Sequence, residues 1–386
     1  MNVLPLQAAR RCGMLRRFET FRHPMSAIPA PGTAAPWFKA RTSANPSFTF
    51  DTVGGRYVVL CFFGSAARED SAAVLRGIEQ NSAVFDDRNA CFFGVSTDPD
   101  DEARNRVADA IPGRRFFWDF DRAVSRLYGA IDANHEHQTY SLILDPNLRV
   151  LAVLPFGQQA DRHVEQLVGA LSRLPKVPDP YRAPPQAPVL VVPHVFEPRL
   201  CEQLIAYYDE TGGEDSGFMR DVDGKTTRII EHGHKRRRDR LIDAEDVRKA
   251  CLARIRARLI PQIEKAYQFK ATRMERYLVA CYSAEESGHF RPHRDNTTKG
   301  TAHRRFAVSL FLNSGQYEGG FLRFPEYGPG LYSAPLGGAV VFSCSMLHEA
   351  MAVTKGKRYM FLPFLYDEQG RRIRDENLKY LADVSA

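Results

Sequence analysis

The stretch HFRPHRD, residues 289–295, sets two histidines, a proline and an aspartate among arginines within seven residues. His293 and Asp295 are two apart, and in an extended strand residues i and i+2 point to the same face. The pair can therefore close on one metal ion, with a third ligand drawn from a distant strand. His348, in GGAVVFSCSMLHEA, stands 53 residues after Asp295 and is the best candidate. Two imidazoles and one carboxylate leave three positions open on an octahedral metal, which suits non-haem Fe(II). Arg358 lies ten residues past His348. The strand continuing from His348 is expected to carry it inward, where a buried guanidinium needs a carboxylate partner. A dicarboxylic cosubstrate supplies one through a bidentate pair. Lys355 and Lys357 are rival cations, but they flank Gly356, a turn residue, and are expected to be solvated. Zinc hydrolysis is the chemical competitor for such a ligand set, and it leaves Arg358 without a role.

The chain has 386 residues, enough for two domains of ordinary size. Its 44% hydrophobic and 26% charged content is that of a soluble globular protein. Its apolar runs, of which VVLCFFG near residue 60 is the longest, are strand-length, far short of the roughly 18 residues a membrane span requires. The net charge of +7 is local: residues 1–24 hold five Arg and one Glu, and residues 225–240 hold seven Lys/Arg and two acids. The remainder is slightly acidic, which argues against a general nucleic-acid surface. Seven cysteines, an odd number with no CxxC, fit a reducing, cytoplasmic setting rather than a disulfide framework. The Arg-rich first 24 residues read as an extended or misassigned start ahead of Met25 in preference to a targeting signal.

Four segments follow from the patterning. Residues 1–40 form an N-terminal extension, expected to be poorly ordered. Residues 41–174 alternate strands (RYVVLCFF, NACFFGVST, TYSLILD, LRVLAVLPF) with helices (SAAVLRGIEQNSAVFDD, DPDDEARNRVADA, HVEQLVGALSRL), which argues for an α/β sheet. Residues 175–188 lie in a stretch with six prolines in fifteen residues, a stiff linker. Residues 189–386 open with strand VLVVPHVF, a helix from Pro198, a DG hairpin over 218–230 and a long helix with Asp243 as candidate N-cap. After residue 270 short strands follow one another with turns between, the pattern of a sandwich or jelly roll.

With HxD, a distal His about fifty residues on and Arg ten further, residues 189–366 resemble the Fe(II)/2-oxoglutarate dioxygenases of the prolyl 4-hydroxylase type. The flanks RRFAVSLFLN, YEGGFLRFP and PLGGAVVFSCSMLHEA carry the same resemblance. It implies a double-stranded β-helix with flanking helices, Fe(II) on His293, Asp295 and His348, and 2-oxoglutarate on Arg358. Tyr282 is implied as a hydrogen-bonding partner of the cosubstrate, with O2 as co-reactant and ascorbate as accessory reductant. The expected reaction hydroxylates a C–H bond of a peptide, protein side chain or small molecule and releases succinate and CO2. The tyrosine that some members use against the cosubstrate is missing from strand 305–313, where Leu310 stands near that place; Ser309 or Tyr277 are candidate replacements. Residues 45–174 resemble peroxiredoxins of the AhpC/TSA type, implying a thioredoxin-like fold. The loop GSAARED carries no cysteine where a peroxidatic thiolate is needed. This half is therefore expected to dock, dimerise or present substrate.

The alternatives are a thiol peroxidase on Cys61 or Cys91, and a non-catalytic binding protein. The segment HKRRRDR, 234–240, reads either as a solvated loop or as a lid recruiting an acidic substrate. His289, His303 and His194 are expected at the surface.

Overall fold

The computed structural model describes residues 27–132, 134–157 and 159–382. The readings of residues 1–24 lie outside the described residues. The chain divides into two compact units, one ending at Arg182 and the other opening at Ala183.

The first unit is built on a seven-stranded sheet. At its centre Tyr57–Gly64 and Ala90–Ser96 run parallel. Both strands are almost wholly apolar because both faces are covered. Val58, Leu60 and Phe62 enter one core, while Val59, Cys61 and Phe63 enter the other. Helices Glu69–Gln80 and Ala160–Ser172 bury Val74, Ile78, Val164 and Leu167 on the second face. The hairpin Tyr140–Leu144 and Val150–Pro155 completes one edge. The acidic helix expected after residue 97 is only one turn, Pro99–Ala103. Asp98 caps its start, and Asn105 adopts a positive φ of 51° soon after its end. The extension expected over residues 1–40 needs correction from residue 32 onward. The N–H groups of Gly32 and Ala35 donate to Val150 and Leu148, and Lys39–Thr42 is a strand paired with Arg114–Trp118.

The second unit packs a nine-stranded sheet against a five-stranded one. In strand Phe306–Phe311 the period-2 alternation is explicit: Ala307 and Phe311 point between the sheets, and Val308 and Leu310 point outward. The outward face is covered by Pro198–Thr211 and by the helical run that begins at Glu245. That run starts with Ala244 at the N-cap, so the Asp243 cap is not formed. It passes through a π-turn, Ile255–Leu259, before Pro261. Proline has no N–H to give the preceding turn, and a wide turn there absorbs the mismatch. The strand expected over 189–196 is shortened to Leu190–Val192, because Val195 and Phe196 turn into the core. Among the described residues no helix is long and apolar enough to cross a membrane.

Candidate metal centre

Strand His289–His293 pairs antiparallel with His348–Ala350, and His293 is the register partner of His348. Asp295 lies in the bend just past the strand and is held there by its N–H donating to Cys344 O at 2.9 Å. Backbone anchoring, not the pleat of a strand, thus swings its carboxylate back toward His293. The Asp295 carboxylate stands 3.6 Å from His293 Nε2 and 3.3 Å from His348 Nε2. One ligand atom from each of the three residues lies within 4.8 Å of the others.

The imidazoles are oriented for this role. His293 Nδ1 is 2.8 Å from Arg291 O, and His348 Nδ1 is 3.0 Å from Met346 O. A carbonyl only accepts, so Nδ1 carries the proton in each ring and Nε2 presents its lone pair to the centre. Burial, reinforced by His293, lowers the His348 pKa to about 4, so it is neutral at neutral pH. Although burial alone would raise it, the Asp295 carboxyl is held well below the usual range by His348 and His293. Phe290 stacks on His293 with ring centroids 3.4 Å apart, and Phe342 lies against His348 at 4.5 Å. Two nitrogens and one carboxylate oxygen, ringed by aromatics, form a donor set that fits Fe(II).

Arg358 is 1% exposed, and its Nε has no hydrogen-bond partner. Among the described residues no carboxylate lies within ion-pair distance of it. The guanidinium rests instead on the rings of Tyr282 and Phe311, 5.0 and 5.1 Å from their centroids. It does not extend the His348 strand as expected. The chain first turns through Val353–Lys355, and Arg358 enters on Lys357–Phe361, in the larger sheet, opposite Tyr282. Lys355 and Lys357 are exposed. Tyr282 lies between two cations: Arg237 Nη1 donates to its hydroxyl at 3.3 Å, on the side away from the strand bearing Arg358.

A small cavity of about 60 Å³ beside the triad is lined by His293, Asp295, His348, Tyr282 and Ser309, among others. Ser309 faces it, whereas Leu310 points to the opposite face and Tyr277 is not in the lining. Arg358 does not line it either, and stands beside Tyr282. A larger cleft of about 620 Å³ also reaches His293 and Asp295, and the hairpin Phe218–Val222/Lys225–Ile229 supplies part of its wall.

The structure departs from two further sequence readings. His303 is buried, its Nε2 3.0 Å from Glu275, which also binds Arg304 at 2.6 Å. The basic segment is neither a solvated loop nor a free lid. Lys235–Arg236 pairs with His289–His293, and Arg238–Leu241 pairs with Leu278–Ser283. Lys235 and Arg237 point inward and are 4% and 5% exposed. The alternation K-R-R-R-D-R was the available signal, since Lys235, Arg237 and Asp239 share one face of an extended chain. Arg276, which lines both cavities, carried no motif.

In the first unit Cys61 is fully buried and Cys91 nearly so, and burial pushes both thiols up to about 12. Neither has the access or thiolate character that peroxide chemistry needs.

The sheet-rich unit is a 2OG-Fe(II) oxygenase domain: the model of the 2OG-Fe(II) oxygenase superfamily matches residues 277–366. The unit before it carries an AhpC/TSA domain: the model of that family matches residues 31–153. The family of the C-terminal domain implies Fe(II), 2-oxoglutarate and O2. A multifunctional procollagen lysine hydroxylase and glycosyltransferase of Caenorhabditis elegans is 29% identical over 177 residues, 43% of this chain. The chain spans only 22% of that relative's length. Similar solved structures include a prolyl hydroxylase from Trichoplax adhaerens in complex with a hypoxia inducible factor peptide fragment. It is 16% identical, with a TM-score of 0.36, over 48% of this chain and 86% of that one. A peroxidoxin, BcpB, from Mycobacterium tuberculosis is 17% identical with a TM-score of 0.33, over 39% of this chain and all of that one.

Proposed function

We propose that the protein is a 2-oxoglutarate-dependent hydroxylase in which His293, Asp295 and His348 hold Fe(II) and Arg358 holds the far carboxylate of 2-oxoglutarate. The observation that carries the reading is the pair of Nδ1–H groups tied to backbone carbonyls, which leaves two Nε2 atoms and the Asp295 carboxylate converging within 4.8 Å. The unpaired, buried Arg358 adds the need for an anion. Bound Fe(II), 2-oxoglutarate and O2 supply the chemistry, hydroxylation of a C–H bond with release of succinate and CO2.

The chain's own residues orient and shield. Tyr282 accepts from Arg237, so its hydroxyl proton is free to donate to a carboxylate, and its ring bounds the cosubstrate's space. Phe290 and Phe342 exclude water from the imidazoles. The cleft beside the hairpin 218–229 is the entry for substrate. A peptide or protein side chain is the favoured substrate, supported by the hydroxylase among the relatives; a small molecule fits the same cleft. Ascorbate serves as accessory reductant. The oxygenase domain spans residues 189–386, and the redoxin-like domain opens near residue 32 and runs to residue 174. The latter, without a usable thiol, serves for docking or for pairing with a second copy in the cytoplasm. The test is succinate formation from 2-oxoglutarate by iron-loaded protein in the presence of candidate peptides and cell extract. No succinate above the level of an Asp295→Ala variant would remove the assignment.

A further inference from the structure

Lys235 is 4% exposed yet has no carboxylate within ion-pair distance among the described residues. Its Nζ donates to Ser216 Oγ at 2.8 Å and Gly217 O at 2.6 Å. It also lies 4.8 Å from the centre of the Phe290 ring, the ring stacked on His293. Two further cations stand beside it. Arg237 and Arg276 share one carboxylate, Asp239, at 2.6 and 3.4 Å. Three cations thus have one carboxylate at bonding distance between them, and the other two acids that reach them are engaged elsewhere: Asp295 faces His293 and His348, and Glu275 binds Arg304 and His303. Leaving buried charge unpaired is strongly destabilising. Burial, with neighbouring Arg237 and Arg276, presses the Lys235 ammonium well below its usual pKa, and the carboxylates of Asp239 and Asp295 offset this only in part. Lys235 and Arg276 both line the small cavity at the triad and the larger cleft, so the excess charge sits where the two meet.

We propose that Lys235 and Arg276 form an anion-binding subsite, separate from Arg358, that takes a carboxylate or phosphate group of the oxygenase's substrate and sets it one aromatic ring away from His293. This rests on the hydroxylase reading for the use made of the bound anion, but not for its binding. Lysine supplies the point charge and Arg276, partly open to the cleft, the planar donors. Phe290 acts as the spacer, leaving room between anion and metal ligands for the carbon to be attacked. The substrate class is therefore a molecule, or an acidic side chain, with its reacting C–H a few bonds from an anionic group.

The experiment is saturation-transfer NMR on the full chain with propionate, methyl phosphate and the neutral isostere propionamide. Wild type is expected to bind propionate and not propionamide. Lys235→Met should weaken propionate about tenfold, the loss of one charge-assisted hydrogen bond, and Arg276→Gln should do likewise. Lys235→Met swaps a buried ammonium for an apolar chain of similar length, so its thermal melt reports that it folds. Arg358→Leu should leave propionate binding in place. Tighter binding of methyl phosphate that is lost in Lys235→Met supports the subsite and assigns a phosphate as its group. Equal signals from propionate and propionamide overturn the subsite. So does unchanged binding in both variants, or loss only in Arg358→Leu. Succinate formation, measured separately, decides the hydroxylase reading and leaves this result standing either way.

Discussion

At the scale of single residues, the centre depends on few atoms. Asp295→Ala removes the one carboxylate that both Nε2 atoms face. Altering the groups around metal ligands typically costs 10–100-fold, so loss of a ligand itself should lower succinate formation by at least about 100-fold. Metal content by mass spectrometry under native conditions should fall with it. Arg358→Met separates two effects. The free chain loses an unpaired buried charge, so its melting temperature should hold or rise. Affinity for 2-oxoglutarate should fall by about 100-fold, roughly 3 kcal/mol, as expected when one partner of a buried charge pair is missing. A melting curve and a cosubstrate titration on the same sample check both. The converging triad of His293, Asp295 and His348 was legible from HFRPHRD and the distal histidine because candidate ligand chemistry constrains residue type. The inward turn of Lys235 and the buried partner of His303 were not, because burial depends on which strand lies alongside.

At the scale of elements, Glu197 ties the helix Pro198–Thr211 to the helical run over 245–267. Its carboxylate accepts from Arg254 Nε at 3.0 Å and Arg258 Nη1 at 2.7 Å. The Arg254 hydrogen bond, with help from Arg258, lowers its pKa from 4.5 to about 2. A depressed carboxylate contributes stability that is fully present above its unfolded value and is lost as pH falls through the folded one. Thermal melts should therefore show stability dropping between about pH 4.5 and pH 2, and Glu197→Gln should flatten the drop in that window. Element types followed from the sequence where the signal was clear, as in the continuous apolar run YVVLCFF or the helical period of PRLCEQLIAYY. The short strands at 235–241 and the π-turn before Pro261 were missed. Strands of two to four residues carry too few alternations to stand out, and their identity comes from partners distant in the chain.

At the scale of the whole molecule, the chain is two units, each with cores of its own. Because Mn(II) and 2-oxoglutarate would bind only residues of the second, adding both should raise one calorimetric transition and leave the other in place. A shift of both would contradict the assignment of the site to residues 189–386. The first unit should be inert to peroxide. In a Cys12→Ser background, Cys61 and Cys91 should react with a thiol reagent only after denaturation, since both are buried and their thiols are pushed up to about 12.

The sequence by itself determined the two fold classes, the ligand residue types and the spacing that made them candidates. Hydrophobic period and ligand chemistry are local properties, readable along the chain. Only the tertiary structure decided which atoms meet. It brought Asp295 back toward His293 through Cys344 O, set Arg358 on a strand of the other sheet beside Tyr282, and folded a basic run inward beside the His293–Asp295–His348 cluster. Those outcomes rest on pairings between segments roughly fifty to eighty residues apart, and no local pattern records which partner a strand will find.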